Sequence, residues 1–150
     1  MEIPSLKLHP EESEKIQVVL SSLVAGFSSA SACLISRSGQ EVAFEGVDSL
    51  GDRQALASLA AGNLAATSGL AQLIDECEFS RIVQQGRKRS MILMPVGELA
   101  LLLLILGNER ENREGLKQVP HVLLLLKDLL EKRNHVGGNG TKSTDSETDE

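Results

Sequence analysis

The 150-residue chain has no tryptophan, no tyrosine and only three phenylalanines. Its core must be aliphatic, built from Leu, Val, Ile and Ala. No basic run is interleaved with stacking aromatics, which argues against nucleic-acid binding. Cys33 and Cys77 show no paired spacing, and His9, His121 and His135 are scattered, so no metal or redox motif is indicated. No Gly-Lys-Ser/Thr phosphate loop occurs, and the chain is not expected to be a GTPase itself. Ser68-Gly69 falls in a helical pattern rather than at a strand-to-helix elbow, and no Ser-His-acid set stands out. The expectation is a non-enzyme with no catalytic residue, no metal and no cofactor. No charged-then-apolar leader opens the sequence. The apolar run Leu99 to Leu106 is too short for a spanning helix, which needs about 20 residues. It reads as a buried central strand. A soluble, cytoplasmic protein with reduced thiols and no membrane insertion is expected.

The formal net charge is −6, part of it carried by Asp145, Glu147, Asp149 and Glu150. Three segments are expected: a lead at 1–9, one domain at 10–134, and a disordered acidic tail at 135–150. A helix starts at Pro10, with Glu11, Glu12 and Glu14 suiting its N-terminus and Gly26 its end. Ala32 to Ser36 and Glu41 to Glu45 form a hairpin about Ser38-Gly39. Asp52 can cap a long helix running to about Glu76. Three strands follow, at Ser80 to Gln85, Ser90 to Val96 and Leu99 to Leu106. The run Arg87, Lys88, Arg89 reads as a solvated turn between the first two. A last helix spans Val119 to Lys132, with an earlier start and a kink at Pro120 as an option. The fold class is α/β (α+β): a five-stranded antiparallel sheet with a long central helix and flanking N- and C-terminal helices.

The central helix carries the functional signal. At helical spacing, Leu56, Leu59, Ala60, Asn63, Thr67, Leu70, Ala71 and Ile74 fall together as the expected core face. Away from them, Ser58, Gly62, Ala65 and Gly69 form a ridge of small residues instead of the charges a solvent face would carry. Each helix-interior glycine costs about 1 kcal/mol against alanine. Two readings of the ridge are open: a second buried face within the monomer, or a surface that a partner approaches closely. Asp75, Glu76 and Glu78 read as a solvated helix end, or alternatively as a contact for a basic partner.

The element order, ISRSGQEV at Ile35 to Val42, and LASLAAGNLAATSGLAQLIDECEF at Leu56 to Phe79 resemble the roadblock / dynein light chain family. The specific likeness is to its bacterial MglB-like branch, over roughly residues 10 to 130. The resemblance implies a homodimer that joins sheets at an edge strand and lays its central helices side by side. That pair forms a platform for a Ras-like small GTPase of the MglA type. MglB proteins stimulate GTP hydrolysis by MglA, in cell polarity and motility, by repositioning the GTPase's own residues. By the same resemblance, Ala65 and Gly69 fall where the helix meets the GTPase. The expected partner-binding residues are Ser58, Gly62, Ala65 and Gly69. Were an arginine inserted instead, Arg37, Arg81, Arg87 and Arg89 are the candidates. The alternative function is a roadblock adaptor that dimerises and recruits partners without changing nucleotide turnover.

Overall fold

A computed structural model describes residues 6, 8–46, 50–107 and 113–132. The expected tail at 135–150 and most of the lead at 1–9 lie outside the described residues. So does part of the loop before the central helix. In chain order the elements are α1 (Pro10–Ala25), β1 (Ala30–Ser36), β2 (Glu41–Glu45), α2 (Arg53–Leu73), β3 (Ile82–Gln85), β4 (Arg89–Val96), β5 (Ala100–Gly107), α3 (Arg113–Lys117) and α4 (119–132). The strands form one five-stranded sheet in the order β2-β1-β5-β4-β3. Every pairing is antiparallel. The expected fold class is the observed one.

The sheet is covered on both sides, and β5 shows why. Its even positions, Ala100, Leu102, Leu104 and Leu106, pack with Ile16, Leu20 and Leu23 of α1 and with Val122, Leu126 and Leu130 of α4. Its odd positions, Leu101, Leu103 and Ile105, pack with Ala57, Ala60, Ala61 and Leu64 of α2. A strand buried on both faces reads as a continuous apolar run rather than an alternating one. That is why the run had the look of a membrane segment. Among the described residues no helix is long and apolar enough to cross a membrane.

Pro10 opens α1, with Glu11 and Glu12 in the first turn, and the Gly26 N–H closes it on the Leu23 carbonyl at 3.1 Å. The last helix has the expected bounds, α4 at 119–132, with Pro120 in its first turn, where a missing N–H costs nothing. Among the described residues it is preceded by the short α3, separated from it at Gln118. Gly115 sits where a Cβ would come 2.6 Å from the Phe27 ring and 2.7 Å from the Gly26 carbonyl. Only glycine lets α3 pass this close to the end of α1.

Candidate functional site

The candidate site is the outer surface of α2. Asp52 caps the helix, its carboxylate accepting the Ala55 N–H at 3.1 Å. The helix ends at Leu73, short of the expected Glu76. Asp75 takes a left-handed φ of 61°, so that the Glu76 N–H returns to the Ala71 carbonyl at 2.9 Å. This left-handed cap normally uses glycine, and no glycine marks it in the sequence.

The structure corrects the expected core face. Ala57, Ala60, Ala61, Leu64 and Ala71 are buried, whereas Leu59 is 73%, Leu70 61% and Ile74 63% exposed. Leu56, Asn63 and Thr67 are only half-buried. The sheet beneath α2 is already filled by Leu93, Leu101, Leu103 and Ile105, so the helix rests on it mainly through alanines, with Leu64 its one large side chain fully buried there. Periodicity located the greatest aliphatic mass, which here points away from the monomer's own core.

Ser58, Gly62, Ala65 and Gly69 are all exposed. The ridge is therefore not a second buried face of the monomer. A Cβ built on Gly62 or Gly69 meets nothing within 4 Å, so neither glycine is required by packing inside the chain. Beside the ridge, roughly a quarter turn round the helix, lie Leu59, Leu70 and Leu73, the last 82% exposed. That leucine flank faces the sheet edge: Asn63 Nδ2 donates to Gln84 Oε1 of β3 at 2.8 Å. Val83 on β3 is 57% exposed. From Gln54 to Ile74 the sequence contains no charged residue. Neither exposed strip of α2 therefore carries a charge, and this absence was the available signal that its outer side is not an ordinary polar face.

Polar contacts tie both ends of α2 to the β1–β2 hairpin. At the start, Arg53 Nε lies 3.1 Å from Glu41 Oε1, and its guanidinium stacks 4.2 Å above the Phe44 ring. At the far end, Glu78 accepts Arg37 Nη1 at 2.8 Å and the Ser68 hydroxyl at 3.2 Å. Arg37 Nη2 also donates to the Gly97 carbonyl at 2.7 Å. Between these ties, the hairpin turn packs under the helix. Gly39, at φ +89°, would place a Cβ 3.1 Å from the Ser58 Cα. Arg37 is thus an internal strut and not an arginine held ready for insertion, and Glu78 leaves the acidic cluster that had read as solvated. Arg81, Arg87 and Arg89 are exposed on and around β3 and β4. Replacing Arg37 by Ala removes this half-buried, charge-assisted cluster. Stability should fall by about 2 kcal/mol, read as a lower denaturant midpoint.

The two thiols differ in exposure. Burial, and then the Glu41 carboxylate beside it, pushes the Cys33 thiol from 9.0 up to about 12. Its Sγ lies 3.8 Å from Glu41 Oε1. Cys77 is exposed. A thiol reagent should therefore modify Cys77 rapidly in the native protein and Cys33 only on unfolding. The folded state holds the Cys33 proton more tightly than the unfolded state does. Its contribution to stability is present in full below pH 9 and is lost as the pH rises towards about 12. A native titration showing two fast thiols would contradict this.

The Roadblock/LC7 domain family model matches residues 29–106. Comparison with curated proteins gave no match. Among solved structures, the gliding protein MglB of Thermus thermophilus is similar at a TM-score of 0.77 and 29% identity, covering 86% of this chain and 98% of that one. MglB of Myxococcus xanthus gives 0.70 and 33% identity, over 87% and 96%. An MglB solved in a tetrameric arrangement gives 0.74 and 28%, over 86% and 97%. The family model spans the sheet and α2, and the MglB likeness extends past it into the flanking helices. The chain belongs to the Roadblock/LC7 family, in its MglB-like branch.

Proposed function

We propose that this chain is an MglB-like regulator that binds a Ras-like small GTPase of the MglA type. It does so as a homodimer whose paired α2 helices form the platform, and it stimulates GTP hydrolysis by its partner in cell polarity or motility. The observation that carries the reading is the exposed face of α2, uncharged along its length and divided into two strips. The leucine flank is continuous with the open edge of β3. A second copy seated there would extend the sheet and cover Leu59, Leu70 and Leu73 in one step, removing an apolar strip and an unprotected edge together. The ridge of Ser58, Gly62, Ala65 and Gly69 then stays uncovered on top, where short side chains let a partner's backbone come close. The domain at 10–134 carries both surfaces. The description of the Thermus relative as a gliding protein supports the link to motility.

The chemistry in this reading belongs to the GTPase. Phosphoryl transfer is limited by positioning and charge stabilisation, and a rigid platform can supply the positioning. Its rigidity comes from the hairpin ties at both ends of α2. Arg37, one of the four arginine candidates, is occupied by Glu78 and Gly97. Single-turnover GTP hydrolysis by the cognate GTPase, with and without this protein, tests the proposal. Acceleration of tenfold or more is expected. Tight binding with an unchanged rate would instead establish the adaptor function.

A further inference from the structure

A second apolar surface lies on the opposite side of the molecule. The exposed large aliphatic side chains among the described residues fall into two groups. Leu59, Leu70, Leu73, Ile74 and Val83 belong to the α2–β3 surface or its immediate end. Val18, Leu124 and Leu125 do not; they lie on α1 and α4, with the sheet between them and α2. There the two helices flank a groove of about 570 Å³. Val18, Val19, Leu125 and Leu129 form its floor. Three carboxylates, Glu11, Glu14 and Asp128, line its rim against one ammonium, Lys15. Asp128 also faces Lys132 at 3.5 Å, a pair largely open to solvent and weak for that reason.

We infer that this groove docks a basic amphipathic helix of a partner protein, apolar face down and lysines or arginines against the rim. Charge decides between the occupants. A second copy placed groove to groove would set carboxylates against carboxylates. This chain's own C-terminal residues end in Asp145, Glu147, Asp149 and Glu150, and would be repelled likewise. An anionic membrane surface is excluded on the same ground. A cationic helix matches both the floor and the rim, and two neighbouring helices with an apolar groove between them accept a third by ordinary helix-in-groove packing. The site shares no residue with the α2 surface and stands whether or not a GTPase binds there.

The probe is a synthetic helix of about five turns, with leucines on one face and lysines on the other, titrated into the full-length protein and followed by backbone amide shifts. Shifts confined to α1 and α4 are expected. Glu14→Lys with Asp128→Lys should weaken binding at least tenfold with an unchanged circular dichroism spectrum. If that pair perturbs folding, Glu14→Gln with Asp128→Asn should give a loss in the same direction. A matched leucine–glutamate helix should bind at least tenfold more weakly than the lysine version. Four results would overturn the inference: shifts centred on α2, affinity indifferent to the rim substitutions, groove shifts that track protein concentration without probe, or binding of phosphatidylglycerol vesicles through the groove.

Discussion

Replacing Ala65 and Gly69 together by Arg should abolish binding of the partner GTPase and leave a folded dimer. Both positions are exposed, and the space above Gly69 is open. The new side chains therefore fit the free protein. Gly69→Arg should even favour the helix, by up to about 1 kcal/mol. The loss falls on the proposed complex, where two long cations would hold apart surfaces that must meet closely. At the centre of an interface this costs about 3 kcal/mol or more, roughly a hundredfold in Kd. Circular dichroism, light scattering and a GTPase pull-down on the one variant separate the outcomes. A folded monomer would move the protomer contact onto the ridge. A folded dimer that still binds would remove the site.

The second large effect belongs to the leucine flank. Leu59→Arg with Leu70→Arg should convert the dimer to a monomer, seen as a mass of 16.1 kDa rather than twice that value. Helical content should hold, because Leu59 and Leu70 are 73% and 61% exposed and contribute little to the chain's own core. If both leucines were core residues, as helical periodicity alone suggests, the variant would unfold instead. GTPase binding should fall with dissociation if the platform needs both helices.

The two variants differ in what they owe to sequence and to structure. The ridge was legible because glycines inside a helix demand an explanation, and Gly62 and Gly69 recur at the spacing of one face. The strands were legible because β5 is apolar at every position and the hairpin carries its turn residues at Ser38-Gly39. The orientation of α2 was not. Leu59, Leu70 and Leu73 lie exposed, while Leu64 and the alanines Ala57, Ala60, Ala61 and Ala71 make the buried contacts, so the face richest in leucine is not the one turned to the core. The end of α2 was missed because Asp75 adopts a conformation usually left to glycine. The Arg37–Glu78 contact spans 41 positions. No local pattern announces a pair so far apart, and the hairpin turn, the β2–α2 loop and the end of α2 must all be placed before it can be seen. The absence of charge from Gln54 to Ile74 was the one global clue to the double-sided helix.

Hydrogen exchange of the wild-type protein, measured with and without the GTP-loaded GTPase, tests the proposed platform most directly. Binding on the platform should slow exchange across the α2 residues from Ser58 to Gly69 and leave the α1 and α4 amides unchanged. Slowed exchange at α1 and α4, with α2 indifferent to the GTPase, would contradict it.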